Sequence, residues 1–250
     1  MPRAVSASAA RDSVAARTLS VGGLTPFTTV DYPGQLAAVV FVQGCPWRCV
    51  YCHNPHLQRR DAAAPTALQW ADVRRWLERR TGLIDAVVFS GGEPTRDPAL
   101  PEAMAQARAL GFRIGLHTAG LYPQRLQQVL PLADWVGLDV KAPLADDDRY
   151  ARITGVRGSA APVRRSLAAV RASGVDFECR TTAHPGLLDD AALLRLAGEL
   201  AAAGVTRYAV QLYRCAGTTS TLGPVAGNYP APSTLDRLQD QFDSFTLRHA

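Results

Sequence analysis

The stretch Leu36-Ala37-Ala38-Val39-Val40-Phe41-Val42-Gln43-Gly44-Cys45-Pro46-Trp47-Arg48-Cys49-Val50-Tyr51-Cys52-His53-Asn54-Pro55 decides how the rest of the chain is read. Its first seven residues are an unbroken apolar run rich in Val, the pattern of a strand buried on both faces. Three of the five cysteines follow at once, spaced C-x3-C-x2-C in a loop that leaves the strand at its carboxyl end. Three thiolates in one loop can ligate three irons of a cubane and leave the fourth iron open. Two other metal readings stay open on spacing alone. His53 or His56 completes a Cys3His set for zinc, and Cys49-Val50-Tyr51-Cys52-His53 matches a covalent haem attachment pattern. Cys45, Cys49 and Cys52 are also compatible with inert core residues.

Outward from this stretch, apolar runs alternate with amphipathic ones. Strands are expected at 36–42, 85–89, 112–117, 135–140, 175–182 and 207–213, and helices at 68–80, 98–110, 123–131, 162–173, 189–203 and 233–246. Strands separated by helices imply right-handed crossovers and a parallel sheet. Six such units fit a doubly wound sheet or a partial barrel, and both place ligands at the carboxyl ends of the strands. The chemically distinctive residues gather there: the cysteine loop, then Ser90-Gly91-Gly92-Glu93-Pro94, then His117-Thr118, then Asp139 and Lys141, then Arg180, then Arg214. Glycines at 91 and 92 let backbone approach a ligand, and the Glu93 carboxylate is able to accept from an ammonium. Asp139 and Lys141 lie two apart and so share one face of a strand.

The 250 residues suit one large domain over 19–250, with residues 1–18 read as a disordered tail rather than an organellar transit peptide. Of 27 basic residues only Lys141 is lysine. The net charge of +5 comes from scattered arginines, which favours solvated helix faces over a nucleic-acid footprint. An odd cysteine count without a secretory signal argues against a disulfide framework and for a reducing cytoplasm. No window has the roughly 18 unbroken apolar residues of a membrane span. Cys179 and Cys215 are isolated and read as incidental thiols.

The cysteine loop, with Tyr51 before its third cysteine, resembles the radical S-adenosylmethionine (SAM) superfamily. Within it, Phe27-Thr28-Thr29-Val30-Asp31-Tyr32-Pro33-Gly34, Gln43-Gly44-Cys45 and Tyr51-Cys52-His53-Asn54-Pro55 are similar to the activating enzymes of glycyl-radical enzymes, the anaerobic ribonucleoside-triphosphate reductase activators above all. The resemblance implies a partial (β/α)6 barrel of parallel strands with outer helices. It implies a [4Fe–4S] cluster on Cys45, Cys49 and Cys52, and SAM contacts from Tyr51, Gly91, Gly92, Glu93, His117, Asp139, Lys141 and Arg180. It also implies a glycyl-radical enzyme as partner and flavodoxin or ferredoxin as electron donor. The related activators often carry Asp at the place of His117, and pyruvate formate-lyase activators carry His at the place of Arg214. A pyruvate formate-lyase type of activator, a small-molecule enzyme such as a 7-carboxy-7-deazaguanine synthase, and a zinc-stabilised binding module are the alternatives.

Overall fold

The computed structural model describes residues 18–60 and 68–248, so all but the last residue of the expected tail lies outside it. The elements run β1 (Val21–Thr28), β2 (Ala37–Val42), α1 (Trp70–Glu78), β3 (Ala86–Gly91), α2 (Leu100–Ala109), β4 (Arg113–Thr118), α3 (Pro123–Val129) and β5 (Trp135–Asp139). They continue with α4 (Asp147–Thr154), α5 (Ala160–Ser173), β6 (Asp176–Ala183), α6 (Asp190–Ala202), β7 (Arg207–Leu212), α7 (Pro232–Gln241) and β8 (Ser244–Arg248).

All eight strands form one sheet in chain order, with β1 antiparallel to β2 and every later pair parallel. A doubly wound sheet reverses its strand order at a switch point; this one never does. Successive right-handed crossovers therefore leave every helix on one side, and the sheet curls as a barrel wall. β1 and β8 do not pair with each other, so the wall stays open. The six expected strands are present as β2 to β7, in an eight-stranded sheet rather than a six-stranded one.

Three elements depart from the sequence expectation. β1 was not expected, and neither was α4. The last helix ends at Gln241 rather than 246, and residues 244–248 form β8 instead. Phe242 leaves the helix in an extended conformation and turns inward onto Tyr208, with ring centroids 5.0 Å apart. That places Ser244 in register with Arg207 and starts the last strand.

Alternation divides each strand between two environments. Ala38, Val40, Val42, Val87, Phe89, Ile114, Leu116, Val136 and Leu138 pack outward into a core shared with the helices. Each large side chain so buried contributes about 1.5–3 kcal/mol. Ala37, Val39, Ala86, Val88 and Trp135 point inward and form a small plug with Tyr32 from the β1–β2 loop. Tyr32 stacks on Trp135 at 5.3 Å. Further along the same inner face the apolar side chains give way to His117, Asp139 and Arg180. The plug is thus a floor, and the site is built on it.

Candidate active site

The cysteine loop has no regular structure of its own, so its shape depends on outside bonds. The Gly44 N–H donates to the Leu57 carbonyl at 2.7 Å and the Cys45 N–H to that of Gln58 at 3.0 Å. The Arg48 and Val50 N–H groups donate to the carbonyls of Thr154 and Ile153 at 2.9 and 3.0 Å, tying the loop to the end of α4. Trp47 is buried and meets the Tyr150 ring edge-on at 6.1 Å. Held this way, Cys45, Cys49 and Cys52 are unpaired, half-buried and on the wall of one cavity. Burial pushes the Cys45 thiol up to about 12 and raises that of Cys49.

Facing the thiols is the end of β3. Gly91 has φ +119°, and a Cβ there would stand 2.4 Å from the Val42 nitrogen. A Cβ on Gly92 would stand 2.7 Å from the Gly44 carbonyl oxygen. Only glycine permits this approach, and the backbone uses it: the Gly92 N–H donates to Val42 and the Glu93 N–H to Gly44. Gly91 and Gly92 line the cavity and Glu93 does not. The Glu93 carboxylate is fully buried and accepts from Thr95 N–H and Oγ1, Thr118 Oγ1 at 2.6 Å and Ala119 N–H at 2.9 Å. Three of these donors meet Oε1 and one meets Oε2. With these bonds the carboxylate clamps the end of β3 to the end of β4.

The remaining expected residues meet on the inner face. Asp139 lies between two cations, 2.9 Å from an Arg180 nitrogen and 3.7 Å from Lys141 Nζ. Burial raises the Asp139 carboxyl, but Arg180 and then Lys141 outweigh it and hold it below its ordinary value. A Cβ on Gly137 would stand 2.7 Å from the Arg180 guanidinium carbon, so the small residue makes room for that side chain. Lys141 Nζ sits 5.6 Å from the centre of the Tyr51 ring. The Tyr51 hydroxyl is buried without a partner among the described residues. His117 Nε2 donates to the Asp31 carbonyl at 2.8 Å, and burial followed by the nearby Arg180 lowers it to about 3. It is a neutral imidazole, proton on Nε2.

One cavity of about 200 Å³ thus gathers Cys45, Cys49, Cys52, Tyr51, Gly91, Gly92, His117, Asp139, Lys141 and Arg180. Trp47 and Ser90, from the two motifs, line it as well, and so do Thr182 and Gln211, which were not anticipated. Thr182 follows Arg180 by two residues in β6, so strand alternation was the signal for it. A second cavity of about 630 Å³ adjoins the first through His53, Arg180, Thr182 and Gln211, and Arg214 lines it. Cys179 is buried in the helix-side core and Cys215 is exposed.

These residues fit a cluster and a bulky charged cofactor. A cubane spreads its thiolate ligands over separate irons, as three unpaired thiols along one wall allow. The glycine cradle is space that any Cβ would fill. Zinc fits less well. His53 Nε2 is turned to the Arg214 carbonyl at 3.2 Å, and among the described residues no three His, Cys, Asp or Glu side chains group around a single ion.

Residues 39–212 match the sequence model of the radical SAM superfamily. The chain belongs to that superfamily. It is an enzyme of radical SAM type, and its cofactors are a [4Fe–4S] cluster and SAM. A Methanocaldococcus jannaschii protein named as a glycyl-radical enzyme activating enzyme is 29% identical over 177 residues, 68% of this chain and 70% of its own. The pyruvate formate-lyase-activating enzyme of Clostridium pasteurianum is 36% identical over 50% of this chain and 53% of its own. A PqqA peptide cyclase of Streptomyces rochei is 35% identical over 58% of this chain and 39% of its own. The chain therefore spans between about two fifths and seven tenths of the length of these relatives. Among solved structures, Streptococcus suis SuiB bound to SAM superposes with a TM-score of 0.64 at 14% identity, over 83% of this chain and 47% of that one. Escherichia coli QueE superposes at 0.54 and 16% identity, over 93% and 94%. At such identities the likeness is one of fold. The radical SAM neighbours agree with the open barrel described above. Among the described residues no helix is long and apolar enough to cross a membrane.

Proposed function

We propose that this radical SAM enzyme activates a glycyl-radical enzyme, an anaerobic ribonucleoside-triphosphate reductase, by removing a hydrogen atom from a glycine Cα of that partner. The carrying observation is the junction of the two cavities. The inner one holds the thiols and the glycine cradle. The outer one opens beside it and is bounded by Thr29, Val30, Asp31 and Pro33, within the segment that most resembles the activators. A loop of a second protein entering the outer cavity meets the inner one across Arg180, Thr182 and Gln211. The activating-enzyme relatives support the same reading.

When bound, the cluster and SAM would supply the one-electron reductive chemistry that hydrogen-atom removal requires. Cys45, Cys49 and Cys52 hold the cluster. Gly91 and Gly92 let the amino-acid end of SAM lie against backbone. Lys141 and Arg180 supply positive charge for its carboxylate, and Asp139 keeps both side chains extended into the cavity. Neutral His117 fixes the Thr29–Pro33 segment through Asp31 and brings no added positive charge beside a sulfonium. No side chain need act as acid or base, so the protein's part is orientation and exclusion of water. Flavodoxin or ferredoxin supplies the electron, in the cytoplasm.

The test is anaerobic incubation of the reconstituted protein with SAM, a reductant and either an anaerobic ribonucleotide reductase or pyruvate formate-lyase. Electron paramagnetic resonance should find a glycyl radical on the reductase. SAM cleavage without a radical on either partner would overturn activation. It would turn attention to a peptide substrate, which the similarity to PqqA peptide cyclases favours.

A further inference from the structure

The cavity side of the cysteine loop faces the glycine cradle, Asp139, Lys141 and Arg180, so an electron reaches the thiols most directly through the loop's other side. That side is built from two segments. Arg48 and Val50, both exposed, flank Cys49, and they are bonded through their N–H groups to the end of α4. Arg152, Val156 and Arg157 are exposed on and just beyond that end. One residue therefore separates this outer surface from a thiol on the cavity wall.

The charge of the surface is one-sided. From Gln43 to Arg60 the chain carries no acidic residue, and from Arg149 to Val175 it carries six arginines and none. Arg152 and Arg157 make no side-chain ion pair among the described residues. The nearest exposed acids on the element, Asp147 and Asp148, occupy the first turn of α4, at the other end of a helix about 12 Å long. Two exposed valines within an arginine rim form a small apolar centre with a charged border, the usual anatomy of a transient interface. Unpaired arginines steer an oppositely charged protein and set its approach.

We propose that Arg48, Val50, Arg152, Val156 and Arg157 form the docking surface for an acidic one-electron carrier protein. One electron leaves the carrier and arrives at the site held by the three thiols; no atom or proton changes hands. The proposal rests on the family's one-electron chemistry and is independent of which protein gives up the hydrogen atom.

The test uses the cluster-loaded enzyme, purified flavodoxin as the acidic carrier, and the double variant Arg152→Glu/Arg157→Glu. Arg79→Glu/Arg237→Glu, two exposed arginines outside both segments, makes the same change in net charge. Flavodoxin binding is measured directly at low and moderate salt, and SAM cleavage is driven either by reduced flavodoxin or by dithionite. The first pair should weaken binding roughly tenfold or more, flatten its salt dependence and slow flavodoxin-driven cleavage alike, with dithionite-driven cleavage within about twofold of the parent. The second pair should leave binding and both rates near the parent's. Equal effects from the two pairs, no effect from the first, or no flavodoxin binding by the parent would overturn the assignment. So would an equal loss with dithionite, which would make the surface a support for the loop. Binding of an RNA oligonucleotide that disappears in the first pair while flavodoxin binding persists would reassign the surface to nucleic acid. Failure of dithionite to drive cleavage in the parent would instead count against the cofactor chemistry itself.

Discussion

Two side chains at the site are held in states that water would not favour. The Tyr51 hydroxyl is buried with no hydrogen-bond partner among the described residues, and such a group costs about 1–3 kcal/mol to desolvate. Tyr51→Phe should raise the stability of the cofactor-free protein by about 1 kcal/mol in urea unfolding; a loss of that size would mean that the hydroxyl is bonded. His117 is the second. Its folded-state value of about 3 lies below the ordinary imidazole value of about 6.5. In that interval the unfolded chain takes up a proton that the folded chain refuses. Its contribution is therefore complete above pH about 6.5 and declines toward pH 3 by up to about 1.4 kcal/mol per pH unit. His117→Gln keeps a donor for the Asp31 carbonyl and removes the titration. Urea unfolding of the two proteins should run in parallel above pH 7, and the parent should fall away faster below 6. At this scale the sequence was most legible in the cysteines, because their spacing is itself chemistry. It was least legible at Glu93. A Gly-Gly-Glu turn gives no sign that its carboxylate also binds Thr95, Thr118 and Ala119, up to 26 positions away, and so ties two strand ends together.

The element that most constrains the site is the end of β3, where Gly91 passes Val42 too closely for any side chain. Gly91→Ala sets a Cβ against backbone and forces a left-handed conformation on alanine. The expected loss exceeds about 3 kcal/mol, with the β2–β3 ladder and the position of the cysteine loop disturbed together. Thermal unfolding and iron content after reconstitution would register both, and a stable variant with full iron content would contradict the crowding. The buried strands β2 to β7 were readable because a parallel strand covered on both faces is a plain apolar run. β1 was not: Val21-Gly22-Gly23-Leu24-Thr25-Pro26-Phe27-Thr28 holds two glycines and a proline and has two register shifts against β2. An edge strand tolerates all three because half its backbone needs no ladder bonds. β8 was swallowed by the helix before it, because Phe245 and Leu247 also suit a helical stripe. The signals for α4 were present and local, with Asp146 capping Arg149 N–H at the start and Gly155 left-handed after the end.

Across the whole molecule, the open edge at β8 is secured from inside the wall. Arg248 crosses to Glu178 on β6 at 2.8 Å, passing Ala209 of the intervening strand. Glu178 is buried and its other carboxylate oxygen has no partner among the described residues. Arg248→Met should therefore destabilise by about 2 kcal/mol, because it strands a buried charge. Adding Glu178→Gln should restore part of the loss, a coupling that a double-mutant cycle in urea measures. Equal additive losses would mean that the pair is not coupled.

The chain-order sheet has one more consequence. Each strand meets a partner synthesised just before it, so the wall is able to assemble as the polypeptide emerges from the ribosome, with little rearrangement afterwards. The three thiols are made early, at 45–52, whereas the end of α4 that braces their loop comes after residue 150 and the Arg214 carbonyl that meets His53 later still. The cysteine loop is thus made before either of the segments that brace it, and its final shape waits on the second half of the protein.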